Sequence, residues 1–393
     1  MIAKKDIKKA LEKNELDYFY QPKVSAITGD IVGAEALIRW IKTDGKVIPP
    51  GAFIPLAEES GLIKEITLQL FKKLERSIKL IHEIKPLCVS FNVTADDLET
   101  DKLSQEIIDA LKEKRLTPSS LELEITESKL IKSKPSVKDN LNRIVDIGVG
   151  VAMDDFGTGY SSLNVLSNYP FSTLKLDYNL INGITSDNKK KFITKTAIRM
   201  AHLLKIDIVA EGVDNKQQYD LLQYMGCTII QGYLISKPLP LDEFIDFLKK
   251  DIRYPGSAAG KLHMISIDHI LWYRDFVYYV MSRLQKISYT SFPPPIPSPH
   301  RCMFGEWFYK EGKIFLTEGL SDQSVKELEK LHLSIHDEAQ KIIEIFKQRV
   351  ETTKYYANIL INFNRFHQDF INKLQECENS LVYSYLTPLI EKT

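Results

Sequence analysis

Hydrophobic and polar positions follow two different periods along this chain, and the change between them divides it into two regions. Up to about residue 250, short β-branched apolar runs alternate with segments whose apolar positions recur every three or four residues. From about residue 262 onwards the helical period continues and strand-like alternation is almost absent. The first region therefore predicts repeated strand-then-helix units, and the second predicts helices alone.

The periods of the first region place strands and helices in alternation. The predicted strands are residues 17–22, 31–41, 87–92, 121–125, 149–154, 173–176, 206–210 and 228–231. The predicted helices include residues 64–84, 104–114, 137–147, 189–204 and 217–225. This alternation is typical of an α/β fold, either an open doubly wound sheet or a closed (β/α)8 barrel. No G-x-G-x-x-G motif follows the early strands, which disfavours a dinucleotide-binding fold.

Polar side chains stand at or near the carboxyl ends of most predicted strands. They are Asn92, Glu124, Asp154, Asp155, Lys175, Glu211 and Gln231. A closed barrel gathers these strand ends around one mouth, where barrel enzymes carry their chemistry. Strand ends are often polar because a loop begins there, but a set composed mostly of carboxylates and carboxamides favours the barrel. We therefore expect a (β/α)8-like TIM barrel in the first region.

Composition narrows the class of protein without identifying it. The chain has 393 residues, 52 Lys and Arg, 52 Asp and Glu, and a net charge of zero, so bulk electrostatics does not favour a nucleic-acid binder. No apolar run predicts a membrane span, and the charged amino-terminal segment does not resemble a signal peptide. The 4 cysteines lie far apart, which indicates reduced thiols. We expect a soluble, cytoplasmic protein of more than one domain.

Several carboxylates would meet at the predicted barrel mouth. They are Glu35, Glu124, Asp154, Asp155 and Glu211. So much negative charge needs cations at close range, and hard oxygen ligands favour Mg²⁺ or Mn²⁺ over Zn²⁺. Two such ions about 3.5–4 Å apart would hold the attacking and leaving oxygens of a phosphodiester. Lys175 would orient or deprotonate the water and Arg39 would reach a phosphate, so metal-assisted hydrolysis of a phosphate ester is the predicted reaction.

Two of these assignments have structural alternatives. Asp154 and Asp155 would also serve as an N-cap before a loop. Lys175 would also serve as a buried ion-pair partner. The chemistry of the residues alone leaves both alternatives open.

A dense series of motifs contains these residues. It comprises YQPKVSAITGDIVGAEALIRW, FIPLAEESGLI, VSFNVT, LELEITES, MDDFGTGYSSL, LKLD, VAEGVD and QGYLISKPLP. Over residues 15–248 the chain resembles the EAL-domain family of cyclic di-GMP phosphodiesterases, whose name is spelled by Glu35-Ala36-Leu37. The resemblance implies a (β/α)8-like barrel that opens cyclic di-GMP to linear pGpG with two Mg²⁺ or Mn²⁺ ions. We expect a homodimer, formed through the barrel, the helical region or both.

The resemblance also implies roles for the residues at matching motif positions. The implied ligands of the two metal ions are Glu35, Asn92, Glu124, Asp154, Asp155 and Glu211. The implied catalytic residues are Glu35, Lys175, Glu211 and Asp155. Lys175 resembles the residue that positions or activates the water, and Gln231 completes the shell around metal and water.

Substrate and loop positions are implied in the same way. Gln21 and Arg39 match positions expected to contact the substrate. Glu127 resembles the glutamate that fixes the glycine-punctuated loop of residues 155–160, and Asp177 and Asp214 belong to the same outer shell.

Departures from the family pattern are small. The family often has Glu at the position of Asp214, and Arg-Ser usually follows LKLD where this chain has Tyr178-Asn179. Neither change removes an implied metal ligand. The sequence therefore favours an active phosphodiesterase over a cyclic di-GMP receptor that binds without cleaving.

A segment of small residues, 254–260, separates the two regions and is typical of a linker. We predict a barrel domain over residues 1–250, a linker over 251–261 and a helical domain over 262–393. In the helical domain, helices are predicted near residues 265–289, 302–309, 322–350 and 354–386, and the prolines of residues 292–299 interrupt them. These four pieces predict an all-α, four-helix-bundle-like domain.

Histidines and a cysteine stand out in the helical domain. His332 and His336 are four residues apart, so both rings project from one helical face. With His269 and Cys302 they would form the set of three imidazoles and one thiolate that suits Zn²⁺. The structural alternative is a solvated His332 and His336 pair, a small buried Cys302, and a His269 capped by Asp268.

Three segments of this domain form a recognisable pattern. The D-H-x-x-W, R-C-x-x-G-x-W and H-x-x-x-H segments resemble the chemoreceptor zinc-binding domain (CZB) over residues 264–342. The implied zinc ligands are His269, Cys302, His332 and His336, in a module that senses zinc or redox state and often dimerises. Residues 292–299 look like an inserted loop, and the tail from residue 354 is predicted only as a helix. Zinc would then regulate the phosphodiesterase, in a direction left open, or serve as a structural staple.

Overall fold

The computed structural model describes residues 2–131, 133–157, 162–284, 295, 298–348 and 353–390. The chain divides into two compact units. One consists of Met1–Leu222 and Cys227–Gly256, and the other of Gln223–Gly226 and Ser257–Thr393. Within the described residues, no helix is long and apolar enough to cross a membrane.

The first unit is built on a closed barrel. Its strands are β1 (Leu16–Ser25), β2 (Ile31–Ile41), β3 (Val47–Ile48), β4 (Cys88–Asn92), β5 (Leu121–Thr126), β6 (Gly150–Phe156), β7 (Thr173–Leu176), β8 (Asp207–Ala210), β9 (Ile229–Ile230) and β10 (Leu239–Pro240). The order around the barrel is β1-β2-β4-β5-β6-β7-β8-β9, and β9 pairs with β1 to close it. β3 and β10 extend the sheet beyond β2 and β1. The predicted barrel is confirmed, and the open doubly wound sheet is wrong.

Strand β1 runs antiparallel to both of its neighbours in the barrel, β2 and β9. The remaining barrel pairs are parallel. Only residues 26–30 connect β1 to β2, and so short a connection permits a hairpin but not a parallel crossover. Longer connections that contain helices join the later strands, so those strands lie parallel.

Helices surround the barrel in the usual alternation with its strands. They are α1 (Lys4–Glu12), α2 (Ile54–Glu59), α3 (Ile63–His82), α4 (Lys102–Lys112), α5 (Glu127–Ile131), α6 (Pro135–Asp146), α7 (Ser162–Asn168), α8 (Tyr178–Ile181), α9 (Asn188–Leu204), α10 (Lys216–Tyr224) and α11 (Leu241–Lys249). Short 3₁₀ turns lie at Pro50–Ala52 and Pro118–Ser120. The five predicted helices each agree with an observed helix to within two residues at either end.

The second unit is entirely helical in the described residues. Its helices are α12 (Ala259–Leu284), α13 (Met303–Trp307), α14 (Lys313–Gly319), α15 (Asp322–Gln348) and α16 (Thr353–Ile390), with a π-helical turn at Phe308–Gly312. α16 packs against both α12 and α15. The three long helices and the shorter α13–α14 segment confirm the predicted bundle-like class. Most of the predicted insertion, residues 292–299, lies outside the described residues.

The segment that precedes α12 packs against the barrel. The Tyr254 amide donates a hydrogen bond to the Gly29 carbonyl at 2.8 Å. The Arg253 guanidinium donates to the Thr28 carbonyl at 2.9 Å. These bonds tie the first part of the predicted linker to the hairpin between β1 and β2, while the exact limits of the two domains stay a prediction.

Candidate functional site

The alternation of side chains along the strands places two layers of polar groups on the barrel axis. Glu122 and Glu124 share one face of β5, and Thr173 and Lys175 share one face of β7, because the side-chain period of a strand is two. Thr173 Oγ1 donates to Glu122 in the lower layer. Lys175 Nζ donates to Glu124 Oε2 in the upper layer, towards the carboxyl ends of the parallel strands. The LELEI pattern thus places its leucines outward and its glutamates inward.

Lys175 is the centre of the upper layer. Its ammonium nitrogen lies 2.6 Å from Glu211 Oε1, 3.4 Å from Asp154 Oδ1 and 3.6 Å from Glu35 Oε1, in addition to its bond with Glu124. Lys175 is only 1% exposed, so water screens these charges weakly. The structure therefore gathers four of the predicted carboxylates around the predicted catalytic lysine. The buried ion pair that was an alternative for Lys175 is present and is compatible with that role.

Two carboxamides hold the Glu35 carboxylate. Asn92 Nδ2 donates to Glu35 Oε1 at 2.9 Å, and Gln231 Nε2 donates to Glu35 Oε2 at 2.7 Å. Gln231 Nε2 also lies 3.1 Å from Gln21 Oε1, and Gln21 Nε2 donates to the Ser236 carbonyl at 3.0 Å. The predicted residues Gln21, Glu35, Asn92 and Gln231 therefore belong to one network.

A second buried lysine, which the sequence analysis did not assign, lies below Glu124. Lys23 Nζ is 2.8 Å from Glu124 Oε1, 2.7 Å from Ser90 Oγ and 3.8 Å from Glu122 Oε2. A signal for it existed in YQPKV, where Gln21 and Lys23 are two residues apart on a buried strand. Two polar residues at that spacing point to the same side of the strand, here the barrel axis.

Burial, followed by the charge of neighbouring carboxylates, raises the pKa values of several carboxyl groups at the mouth. Burial raises the pKa of Glu35 to about 7 and that of Glu211 to about 8. Burial and the adjacent Asp154 raise the pKa of Asp155 to about 6. These groups resist ionisation because they share one small volume, and a bound cation would relieve that resistance.

Glu124 behaves differently from its neighbours. Burial opposes its ionisation, but the ammonium groups of Lys175 and Lys23 outweigh burial and lower the pKa of Glu124. The carboxylate is completely buried, with one lysine bonded to each oxygen. Glu124 therefore carries its charge without a metal ion, whereas a bound cation would favour ionisation of the surrounding carboxyls.

Asp154 and Asp155, just before the last residue of β6, form a strained turn at the mouth. Asp155 has a φ of +59°, in the left-handed region that few side chains adopt, and its amide donates to Asp154 Oδ1 at 2.9 Å. Gly157 follows with a φ of +99°. Strain at this point of a barrel is typical of a functional turn. The predicted loop of residues 155–160 continues from here into positions 158–160, which lie outside the described residues.

The remaining predicted residues occupy the periphery. Glu127 is buried at the first turn of α5, and Asp214 is exposed after β8. Asp177 is the N-cap of α8, where its side chain accepts the amide of Asn179 at 2.8 Å. Arg39 is partly buried near the end of β2, where its guanidinium lies 5.6 Å from the ring centroid of a phenylalanine on β1. Asp177 therefore contacts its own helix, and Arg39 contacts the neighbouring strand β1.

The helical unit contains a second cluster, of a different chemical kind. His269 on α12 and His332 and His336 on α15 offer ring nitrogens that lie within 4.8 Å of one another. Cys302, the N-cap of α13, places its Sγ 3.1 Å from His332 Nε2. All four residues are buried, so the alternative of a solvated His332 and His336 pair is wrong.

The donor set of this cluster fits Zn²⁺. Neither ring nitrogen of His269 has a hydrogen-bond partner in the described structure, although both are buried. Burial lowers the pKa of His332 to about 2 and holds that of His269 well below its usual value, so both rings are neutral. Burial raises the pKa of the Cys302 thiol to about 11. Neutral imidazoles beside a thiol are suitable zinc ligands once the thiol loses its proton. A buried ring nitrogen without a hydrogen-bond partner is energetically unfavourable, and a bound metal ion would supply the missing partner.

Helix α16 forms one wall of this cluster, which the sequence analysis did not foresee. The Phe370 ring centroid lies 4.6 Å from that of His269. His367 stacks on Tyr273 at 3.7 Å and lies 5.8 Å from His269. These contacts could not be predicted from the sequence, because a helical period shows which residues share a face but not what that face contacts.

The fold and the two clusters together define a class of protein. It is a TIM barrel with a carboxylate-rich mouth suited to hard divalent cations, followed in the chain by a helical unit with a histidine and cysteine cluster. The chain belongs to the EAL domain family, whose model matches residues 4–238. Residues 269–343 match the model of the chemoreceptor zinc-binding domain.

Known proteins support both the family and the fold. Cyclic di-GMP phosphodiesterase RocR of Pseudomonas aeruginosa is 37% identical over 243 residues, which cover 62% of this chain and 62% of the relative. Signaling protein YkoW of Bacillus subtilis is 36% identical over 243 residues, which cover 62% of this chain and 30% of the relative. The chain thus spans less than two thirds of the length of either relative.

Solved structures give the same picture. The PaMucR phosphodiesterase in complex with c-di-GMP is 36% identical with a TM-score of 0.57, over 61% of this chain and 98% of that one. An EAL domain protein from Listeria monocytogenes is 31% identical with a TM-score of 0.53, over 63% of this chain and 97% of that one. In both cases the similarity covers about the length of the barrel unit.

Proposed function

We propose that this chain hydrolyses cyclic di-GMP to linear pGpG with the help of Mg²⁺ or Mn²⁺. The observation that carries the proposal is the ring of four carboxylates around Lys175 at the mouth of the barrel. Membership of the EAL family and the likeness to cyclic di-GMP phosphodiesterases supply the substrate.

The residues of the mouth divide into holding and orienting groups. The proposed ligands of two cations are Glu35, Asn92, Glu124, Asp154, Asp155 and Glu211. Bound cations would neutralise phosphate charge and lower the pKa of a water molecule. Lys175 Nζ would orient that water, since it already reaches carboxylates on β2, β5 and β6 and the one just after β8. Gln231 would keep Glu35 in place through its 2.7 Å bond, and Gln21 and Arg39 would contact the substrate.

Turnover tests the proposal directly. Purified protein incubated with cyclic di-GMP and Mn²⁺ or Mg²⁺ is expected to release pGpG, and EDTA is expected to stop the reaction. Glu35→Ala should abolish turnover because it removes a carboxylate from the ring, and the more conservative Glu35→Gln should do the same while it preserves the volume. Glu83→Ala, at an exposed residue after α3, is the matched control and should retain activity. Full activity of both Glu35 variants would contradict the assignment, and binding without cleavage in the wild type would favour a receptor.

Zinc control is the second part of the proposal. The proposed zinc ligands are His269, Cys302, His332 and His336, and Zn²⁺ bound there would alter turnover at the barrel if it favours one of two states of the protein. Turnover should be measured against buffered free Zn²⁺ for the wild type and for His332→Ala. A response in the wild type that is lost in the variant is expected. A flat response in both would indicate a structural staple instead.

A homodimer, formed through the barrel, the helical domain or both, also belongs to the proposal. Light scattering coupled to size-exclusion chromatography should give twice the mass of 45.1 kDa for the zinc-loaded protein. A mass of one chain at micromolar concentration would remove the dimer from the proposal.

A further inference from the structure

Lys23 forms a buried support below the proposed metal site. It reaches the barrel axis from β1, the antiparallel strand, and it is 5% exposed. Gly33, on the neighbouring strand β2, lies beside the lysine side chain. A Cβ at Gly33 would lie 3.8 Å from two carbons of that side chain, an ordinary van der Waals contact, and 2.8 Å from the Cys88 carbonyl oxygen, which is too close. Among the described residues of the barrel, Lys23 and Lys175 both reach the axis, and Lys175 is the one that lies in the ring at the mouth.

The two lysines divide the oxygens of Glu124 between them. Lys23 Nζ is 2.8 Å from Oε1, and Lys175 Nζ is bonded to Oε2. Ser90 Oγ accepts a hydrogen bond from Lys23 at 2.7 Å, which fixes the ammonium group relative to β4. Because Oε1 is held from below, the plane of the carboxylate is set and Oε2 is directed to the mouth.

Charge supports the same conclusion. Glu124 is completely buried. The Glu122 carboxylate, on the same face of β5, lies 3.8 Å from Lys23 Nζ. Without Lys23, these two anions would lose the cation between them. Lys175 would then be left to balance the carboxylates on the barrel axis. An unpaired buried charge is strongly unfavourable, so the carboxylate would move from its present position. That movement would displace a proposed metal ligand.

We propose that Lys23 is a positioning residue that acts on the divalent cation through Glu124. The inference rests on the proposed function insofar as Glu124 is a ligand of that cation. It adds to the site a residue that contacts neither metal nor substrate.

Lys23→Met tests the inference, since methionine has a similar length and no charge. The full-length variant, preloaded with one equivalent of Zn²⁺, is titrated with Mn²⁺ by calorimetry in the absence of substrate. Removal of a partner of a metal ligand typically weakens metal binding about 10–100-fold, and we expect a rise of that size in the Kd for Mn²⁺. The Mn²⁺ concentration for half-maximal turnover should rise by the same factor. The KM for cyclic di-GMP at saturating Mn²⁺ should stay within about twofold, because Lys23 does not contact substrate.

Controls separate this role from a merely structural one. Lys249→Met, at an exposed lysine of α11, is the matched substitution and should leave the Kd for Mn²⁺ unchanged. Ser90→Ala keeps the charge of Lys23 but removes its hydroxyl partner, and a rise of about fivefold is expected from the loss of one hydrogen bond. Ser90→Ala therefore gives a readout even if Lys23→Met does not fold. In a Glu124→Ala background, Lys23→Met should have no further effect on Mn²⁺ binding.

The outcomes are distinguishable. A folded Lys23→Met protein with wild-type Mn²⁺ affinity overturns the inference, as does an unchanged affinity in Ser90→Ala when Lys23→Met is unfolded. A further loss of affinity in the Glu124→Ala background would show that Lys23 acts by another route. If the wild type binds Mn²⁺ and responds to Lys23→Met but does not cleave cyclic di-GMP, the proposed function fails and the inference stands.

Discussion

The barrel mouth and the helical cluster both bury titratable side chains, and the energetic cost of that burial is offset differently at the two sites. In the barrel, Lys175 and Lys23 supply positive charge from within the chain, and Asn92 and Gln231 complete the bonds of Glu35. In the helical unit, the His269 ring has no hydrogen-bond partner at either nitrogen in the described structure. The first site thus carries its own counter-charges, and the second does not.

This difference predicts where a metal ion matters for folding. A self-compensated ion-pair network can form before any cation arrives, so the barrel should fold without metal. A cluster of neutral, unpartnered donors gains both coordination and relief from burial when a metal binds, so metal affinity there becomes folding stability. The contrast can be tested by removing each source of compensation in turn.

The largest effect is expected from Lys175→Met. The substitution leaves Glu35, Glu124, Asp154 and Glu211 without their shared cation, and removal of one partner of a buried pair typically costs about 3–5 kcal/mol. Hydrogen exchange in EDTA, measured region by region by mass spectrometry, should show faster opening of the barrel strands. Turnover should be lost as well.

Two further measurements make this test specific. Mn²⁺ should restore part of the protection in the Lys175→Met variant, because a cation replaces the missing ammonium group. Exchange in α12 and α15 should stay as in the wild type. Unchanged protection of β5 and β7 in the variant would mean that the barrel does not depend on its internal cations.

Zinc removal should have a smaller effect, confined to the helical unit. At free Zn²⁺ about 100-fold above its Kd, binding to the folded state contributes about 2.7 kcal/mol, and a chelator should remove that amount. Exchange should accelerate in α12 and α15, which carry the proposed ligands, and not in the barrel strands. His336→Phe should show the same exchange with and without zinc. Equal acceleration in barrel strands would contradict the contrast between the two sites.

The barrel mouth was largely predictable from the sequence because its residues sit at the ends of short apolar strands. Glu124 and Asp154 needed only the strand positions and the rule that parallel strands share one carboxyl edge. Lys23 was not predicted, because its strand, β1, runs antiparallel to its neighbours and the rule for the carboxyl ends of parallel strands does not apply to it. Its place on the axis depends on the hairpin with β2 and on the partners Ser90 and Glu124, which lie far away in the sequence.

The helical cluster was predictable only in part, for a related reason. The spacing of His332 and His336 fixes two donors on one helical face, since both belong to α15. Cys302 and His269 reach them through the packing of other helices, which a helical period does not specify. His367 lies still further along the chain, on α16, so its approach to His269 appears only in the folded structure.

The smallest expected effect concerns His367, which lies beside the cluster but outside its set of three converging nitrogens. Burial lowers its pKa to about 4, and its Nε2 has no hydrogen-bond partner in the described structure. His367→Phe keeps a ring against Tyr273 and removes that unpartnered nitrogen. Replacing such a group by an apolar one of similar shape is nearly neutral, so unfolding should change by less than about 1 kcal/mol.

Zinc binding distinguishes this neighbour from a ligand. His367→Phe should still bind one equivalent of Zn²⁺ with a Kd within about threefold of the wild type, while His336→Phe, the same substitution on α15, should lose tight binding because a coordinating nitrogen is gone. Competition with a chromophoric chelator measures both variants under one condition. If His367→Phe weakened zinc binding as much as His336→Phe does, α16 would supply a ligand. The zinc ligands would then come from four helices, and one of them would lie outside the segment that carries the family motifs.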